Sequence, residues 1–278
     1  MYLSRIRLHP SLESTQLTHL LQDRRDYGLH RLFWDLFEGQ KRQFLYRMEL
    51  ANEQRLPPGR RKADPVYYVL SADKPRQDSP LFQVEPQEYR PQLEVGDRLA
   101  FKLRVNAVVT RDGKRHDIVM DAQRSWLQKE LKALELSSEG GKHACKQRLL
   151  DHADDQCVSE WKREIADGPF CQQLEQRLGR IDLLEWALKT SIEQAIHHWW
   201  HRQGVRFGFE VPTDDTALQA VSYQKHHLPE KHRQAGFSSL DLSGEVIVSN
   251  VDCFNRLLFE GTGPAKAFGC GLIMVRRV

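Results

Sequence analysis

The spacing of apolar positions changes several times along the chain, and each change marks an element. Tyr2, Leu3, Ile6 and Leu8 open in near alternation, which predicts a strand ending at Pro10, and Ser11 to Gln22 is compatible with a short helix. Leu29, Leu32, Phe33, Leu36 and Phe37 then recur at spacings of three and four. That spacing predicts one apolar helix face, with Asp23 or Asp26 as cap and Gly39 as stop. Gln43 to Ala51 and Val66 to Ser71 read as strands on either side of a loop rich in proline and arginine, Asn52 to Pro65. Strand, helix, strand, strand is the opening of a ferredoxin-like or RNA-recognition-type fold.

Leu99 to Val109 alternates cleanly and predicts a strand, and the Asp112-Gly113 pair that follows predicts a hairpin turn. From about Ser125 to Ala195 the pattern is charged and helix-prone, at Leu127 to Leu136, Trp161 to Ile165 and Leu174 to Gln194, with breaks at Gly140-Gly141 and Gly168-Pro169. Phe237 to Leu242 and Glu245 to Ser249 read as strands, Val251 to Glu260 as a helix, and Leu272 to Val275 as the last strand. The fold class expected is α+β, with two tandem ferredoxin-like domains. The first spans 1–94 and the second 95–278, which carries a helical insertion at about 125–195.

Composition narrows the class. A mean hydropathy of -0.60 and the lack of any apolar run near the roughly 20 residues that span a bilayer predict a soluble protein with no membrane partner. The opening MYLSRIRLHP has no apolar core of the signal-peptide kind, so the cytoplasm is the expected compartment. Five cysteines without a CxxC pair suggest neither a disulfide framework nor a zinc knuckle. The net charge of +3 does not by itself announce nucleic acid. Its distribution is more informative, with positive clusters at Arg55 to Lys62, Arg111 to Arg115 and Lys225 to Arg233.

Candidate chemistry concentrates in three places. Gly261-Thr262-Gly263-Pro264-Ala265-Lys266-Ala267-Phe268-Gly269-Cys270-Gly271 is a glycine-rich loop between a helix and a strand. Its backbone N–H groups can cradle phosphate oxygens while Lys266 supplies charge. It is neither a Walker A loop nor a dinucleotide fingerprint, since the order of helix and strand is reversed. Tyr27 and His30 lie three apart in the first turn of the aromatic helix, where backbone donors favour an anion. On residue type alone the pair also reads as solvated or capping side chains. The stretch Ser222 to Arg233 is basic and flanked by aromatics; Lys225, Lys231 and Arg233 on a projecting loop suit RNA phosphates, or simply a solvated surface. His197 and His201, with Glu193 a turn earlier, have the i, i+4 spacing of a zinc site, yet the rest of a ligand set is not evident, and no metal or cofactor is expected.

A loop reading G-x-G-P-A-K-x-x-G-x-G-L before a C-terminal strand resembles the glycine-rich loop of the RAMP superfamily of CRISPR-associated proteins. With Phe237-Ser238-Ser239-Leu240-Asp241 and Gly244 upstream, the chain is most similar to the CasE family, the repeat-cleaving endoribonuclease subunit of the Cascade complex. Tyr27-x-x-His30-Arg31 before the aromatic helix resembles that family's catalytic helix. Phe101 to Ala107 with Lys114-Arg115 resembles its F-x-L-R-x-N-P segment and the dipeptide after it, except that Ala107 stands where proline is usual. The resemblance covers roughly 1–125 and 197–278.

What the resemblance implies is cleavage of CRISPR precursor RNA at repeat hairpins by metal-independent attack of a 2′-hydroxyl, leaving a 2′,3′-cyclic phosphate and a 5′-hydroxyl. His30 would serve as acid or base, Tyr27 would position and stabilise, and Arg31 would be an electrostatic partner. The implied RNA-binding residues are Lys114, Arg115, Lys225, Lys231, Arg233, Gly261, Gly263, Lys266, Gly269 and Gly271. The implied partners are repeat hairpin RNA and other Cascade subunits. A non-catalytic RNA-binding RAMP subunit is the alternative, and a metal-dependent nuclease using the insertion is another.

Overall fold

The computed structural model describes residues 1–9, 30, 32–38, 44–49, 65–213, 218–228 and 236–278. The chain divides into two compact units, Met1–Asn106 with Val205–Val278, and Ala107–Gly204. In the first unit, β1 (Tyr2–Leu8), β2 (Phe44–Glu49), β3 (Val66–Ser71) and β4 (Phe82–Glu88) form an antiparallel sheet in the order β2-β3-β1-β4. That is the strand order of a ferredoxin-like βαββαβ unit. The helical turn at 32–34 lies between β1 and β2, as the spacing of Leu32, Phe33 and Leu36 requires. No helix joins β3 to β4, where residues 72–81 include Pro75 and Pro80 among turn-forming residues.

Alternation explains how this sheet is covered on both sides. Ile6, Phe44, Tyr46, Tyr67, Val69, Phe82 and Val84 share a core with Phe33 and Leu36. The Phe33 ring lies 5.0 Å from Tyr46, 5.2 Å from Tyr67 and 5.3 Å from Phe82. Burial of each such aromatic side chain stabilises the fold by about 2–3 kcal/mol. Residues of the opposite parity, Leu45 and Leu70, pack with Leu272, Phe259 and Met274.

β5 (Arg98–Val105) opens a second sheet and buries every other residue, Leu99, Phe101, Leu103 and Val105. The predicted strand to Val109 is interrupted: β6 (Val108–Arg111) and β7 (Lys114–Asp117) form a separate hairpin in the second unit. Ala107 has left the ladder, and its carbonyl accepts from the Ile118 N–H at 3.1 Å. The Asp-Gly turn is as expected, with Arg111 opposite Lys114 and both Asp112 (φ 50°) and Gly113 (φ 72°) in the left-handed region.

Four α-helices follow, α1 (Ile118–Ala133), α2 (Lys142–His152), α3 (Asp155–Ala166) and α4 (Arg180–Phe207), a helical stretch that begins before residue 125 and ends after residue 195. Asp117 caps α1 through the Met120 N–H at 2.7 Å, and Asp154 caps α3 through that of Cys157 at 2.8 Å. The pattern gave no sign of α2, because only Cys145 and Leu149 on it are buried, too narrow a stripe to register as a period. The core of this unit joins Trp126, Leu131, Leu149, Trp161, Leu184 and Leu188. Buried Glu130 accepts from the Trp161 indole at 2.8 Å, and Glu164 accepts from Trp126 at 2.9 Å and from Lys129 at 2.9 Å.

The chain returns to the first unit through β8 (Phe209–Glu210), β9 (Leu218–His227), β10 (Gly236–Val248), α5 (Val251–Glu260) and β11 (Ile273–Arg277). The second sheet has the order β11-β5-β10-β8, with β9 also paired to β10. Numbered from β5 as the first strand, this is again the ferredoxin-like order. Two expectations change here. The residues up to His227 in the basic stretch are strand rather than loop, because they ladder against Gly236 to Gly244. The two strands expected over 237–249 are one, continuous through Gly244, which pairs with Phe101 on one side and Leu218 on the other.

Candidate active site

His30 lies beside Phe44 at the start of β2, the strand at the edge of the first sheet, with the two rings 5.5 Å apart. It is buried, at 8% exposure. Trp34, one helical turn later, stands edge-on to the imidazole, and its indole N–H donates to His30 Nε2 at 3.1 Å. Phe37 stacks on Phe44 at 5.1 Å, which closes an aromatic setting around the histidine. Tyr27 and Arg31, which flank His30 in the sequence, lie outside the described residues.

Two residues further along β2, roughly 7 Å at the usual rise of a strand, Tyr46 meets the glycine-rich loop. Its hydroxyl donates to the Ala267 carbonyl at 3.1 Å, and a side chain at Gly269 would come within 3.1 Å of its ring. One edge strand thus carries both His30's neighbour and the loop's. These motifs are more than 200 residues apart in the chain, and the fold of the first unit brings them to the same strand.

Four glycines of the loop have left-handed φ: Gly261 at 66°, Gly263 at 73°, Gly269 at 78° and Gly271 at 94°. Space demands them as well. A Cβ at Gly261 would lie 2.5 Å from the Gly271 carbonyl oxygen, at Gly263 2.9 Å from that of Asn106, and at Gly271 2.7 Å from that of Thr262. The loop is tied down by its own backbone, since Thr262 N–H donates to Gly271 at 3.1 Å and Gly271 N–H to Arg104 at 2.7 Å. Lys266 turns inward: its ammonium donates to the carbonyls of Glu260 at 2.6 Å and Gly261 at 3.3 Å, at the C-terminal end of α5, where a cation complements the helix dipole.

The loop is also joined to β9 and β10 by a run of three rings. Phe268 stacks on Phe237 at 4.9 Å, and Phe237 stacks on His226 at 4.4 Å. His226 Nε2 meets Ser239 Oγ at 2.8 Å, so the Phe237-Ser238-Ser239 segment is fixed from both sides. Lys225, next to His226, is exposed on β9 opposite Ser238.

A partly buried ion network that the sequence did not reveal joins β2, β5 and β10. Asp241 accepts from Arg104 at 2.9 and 2.8 Å and from Ser222 at 2.8 Å, and Arg47 of β2 approaches it at 3.8 Å while pairing with Glu49. Burial alone would raise the Asp241 carboxyl, but the hydrogen bonds and charge of Arg104, then Ser222 and Arg47, hold it below its ordinary value. Burial likewise pulls the Arg104 guanidinium down, and the bonds to Asp241 carry it to a net rise.

The remaining residues named from sequence belong to the second unit or lie outside the described residues. Lys114 and Arg115 are exposed on β7 in the second unit. Lys231 and Arg233 lie outside the described residues. On α4, burial and then the charge of His201 lower the His197 pKa, and burial raises that of Glu193. Among the described residues no three His, Cys, Asp or Glu side chains converge as a metal-ligand set, and no helix is long and apolar enough to cross a membrane. Trp34, Tyr46 and the ring run through Phe237 were not anticipated as parts of the site. Two had a legible signal: Trp34 in its four-residue spacing from His30, and Phe237 in the Phe237-Ser238-Ser239 motif.

Comparison with known proteins gives a consistent result. The model of a family described as CRISPR associated protein matches residues 1–277. No curated protein matches. Among solved structures, Thermus thermophilus Cse3 bound to an RNA representing a pre-cleavage complex is 18% identical, with a TM-score of 0.56 over 99% of this chain and 98% of that one. Cas6e from Escherichia coli str. K-12 is also 18% identical, with a TM-score of 0.53 over 100% of both chains. At such identities the likeness is one of fold.

Proposed function

Because the chain belongs to the family of CRISPR-associated proteins, we propose that it is an endoribonuclease that cleaves CRISPR precursor RNA at repeat hairpins and keeps the product bound as a Cascade subunit. The observation that carries this reading is His30, buried, bonded by Trp34 and packed on Phe44 of the edge strand that also holds the glycine-rich loop through Tyr46. Support for the substrate comes from a relative of the same fold, Cse3, whose structure holds an RNA representing a pre-cleavage complex.

In the proposed reaction the RNA 2′-hydroxyl attacks the adjacent phosphorus, the P–O5′ bond breaks, and the products are a 2′,3′-cyclic phosphate and a 5′-hydroxyl. This route needs a group to take the 2′-hydroxyl proton, a group to protonate the departing 5′-oxygen, and donors around the phosphorane. His30 is the candidate for proton transfer, since imidazole with an unperturbed pKa of about 6.5 exchanges protons near neutrality. Tyr27 and Arg31 are assigned positioning and charge stabilisation on the strength of the sequence resemblance. Lys114, Arg115, Lys225, Lys231 and Arg233 are assigned RNA contacts, together with the loop at Gly261, Gly263, Lys266, Gly269 and Gly271.

The test is an end-labelled repeat hairpin incubated with the protein in EDTA, beside His30→Ala and an RNA with one 2′-deoxy nucleotide at the cleavage position. The expected outcome is a single cut by the unmodified protein, abolished by the deoxy substitution and slowed at least about 100-fold by His30→Ala. Tight binding without cleavage would replace this reading with a non-catalytic RNA-binding subunit. A cut that disappears in EDTA would replace the metal-independent route.

A further inference from the structure

We infer that Trp34 is the positioning residue that sets the tautomer of His30, placing the ring proton on Nδ1 and the lone pair on Nε2. The inference rests on the reading of His30 as the proton-transfer group of an RNA-cleaving site. Its structural basis is independent of that reading: the indole N–H of Trp34 lies 3.1 Å from His30 Nε2. An indole nitrogen has a proton and no available lone pair, so it only donates. The nitrogen facing it is therefore an acceptor and carries no proton in this arrangement. A neutral imidazole has one N–H, which then belongs to Nδ1.

The geometry leaves little freedom for the opposite choice. Trp34 stands at 84° to the imidazole, four residues along the same helical turn, and Phe44 lies against the ring from β2. Flipping the imidazole in place would set the carbon Cε1 where Nε2 stands and lose the bond from the indole N–H. The helix fixes the donor, the strand fixes the ring plane, and together they select which nitrogen is basic.

That selection assigns a direction to the proposed chemistry. The basic nitrogen is Nε2, and for His30 to act there the 2′-hydroxyl O–H replaces the indole N–H as the donor. The hydroxyl proton passes to Nε2 as the 2′-oxygen forms its bond to phosphorus. The P–O5′ bond then breaks, and the imidazolium returns one proton to the 5′-oxygen. No oxidant, metal or further reactant enters the balance. In this scheme Trp34 bonds neither the 2′-oxygen, the phosphorus nor the 5′-oxygen; it acts through its hydrogen bond to His30 Nε2.

The experiment reads the tautomer directly, without RNA. Long-range 15N–1H correlation spectra of the full-length protein, labelled at histidine and recorded at about pH 8, above the unperturbed imidazole value of about 6.5, give the protonated nitrogen of His30, assigned by its loss in His30→Ala. The Nδ1–H form is expected in the unmodified protein. In Trp34→Phe, which keeps an aromatic ring and removes the donor, that preference is expected to be lost. The single-turnover cleavage rate at saturating RNA should fall roughly three- to tenfold, the equivalent of one neutral hydrogen bond, with RNA affinity unchanged within about twofold. A thermal unfolding curve of Trp34→Phe shows that the fold is intact. An Nε2–H signal in the unmodified protein overturns the inference, as does Trp34→Phe with both tautomer and rate unchanged. An inert protein that nonetheless shows Nδ1–H and loses it in Trp34→Phe would overturn the nuclease reading and leave the tautomer assignment standing.

Discussion

Gly261→Ala should unfold the first unit at a markedly lower temperature, and the size of the effect follows from the backbone. Gly261 has φ 66° and ψ 177°, a region that is essentially reserved for glycine, where an alanine costs about 1–3 kcal/mol in strain alone. The new methyl group would also lie 2.5 Å from the Gly271 carbonyl oxygen and 2.8 Å from Leu45 Cδ1. Leu45 can give way, but the Gly271 carbonyl is held by the Thr262 N–H and its amide by Arg104, so relieving the clash disturbs two backbone hydrogen bonds. Overpacking of this kind adds roughly 1–3 kcal/mol. A total of about 2–6 kcal/mol corresponds to a fall in Tm of roughly 4–24 °C for a body of this size.

Differential scanning calorimetry of Gly261→Ala beside Gly113→Ala measures it. Gly113 also has a left-handed φ, 72°, but a Cβ there meets nothing within 4 Å, so only strain of about 1 kcal/mol is expected, and in the other unit. The comparison separates strain from clash. A Gly261→Ala protein that melts within about 2 °C of the original while losing RNA affinity would refute the packing account and return these glycines to a purely ligand-holding role.

Two further outcomes are expected. Asp241→Asn should destabilise the first unit by roughly 1–3 kcal/mol at neutral pH, since it leaves half-buried Arg104 without its bidentate partner. The folded pKa of Asp241 is depressed, so its contribution is complete above the ordinary carboxylate value of about 4 and is lost as pH falls through the lower folded value. Urea unfolding should therefore show a gap between the two proteins that is flat from about pH 5 to 8 and narrows in acid; a gap that widens in acid would contradict the assignment. Replacing Lys114 and Arg115 together with alanine should weaken repeat RNA binding and reduce the slope of log affinity against log salt by about 1.5–2, with no change in melting temperature because both are exposed on β7. An unchanged slope in a filter-binding titration would remove the pair from the interface.

Much of the architecture was legible because period and parity are local properties. The α5 helix over Val251–Glu260 and the β3 strand over Val66–Ser71 fall where the spacing put them. Asn250 caps α5 by accepting from the Cys253 N–H at 2.9 Å, and Gly261 ends it. What failed was where a local pattern has two readings. Lys225 to His227 are polar and basic, as in a loop, yet they form strand because β10 supplies backbone partners on that side. The alternation from Leu99 to Val109 continues across Asn106-Ala107 in sequence while the chain there leaves one sheet for another.

The glycine-rich loop shows the same ambiguity at the site. A sequence cannot say whether a glycine is present because a ligand approaches the backbone or because the protein does. Here the protein does: the Cβ positions of Gly261, Gly263, Gly269 and Gly271 are filled by Gly271, Asn106, Tyr46 and Thr262 respectively. The amides of Gly261, Thr262, Phe268 and Gly271 already donate to backbone carbonyls, and the lysine that reads as a phosphate ligand donates to the end of α5. RNA binding by this loop, if the proposed function holds, therefore works less by a ring of open amides than by the shape these internal bonds impose. That shape sets Phe268 against Phe237 and Ala267 against Tyr46, two residues along β2 from the strand position that supports His30.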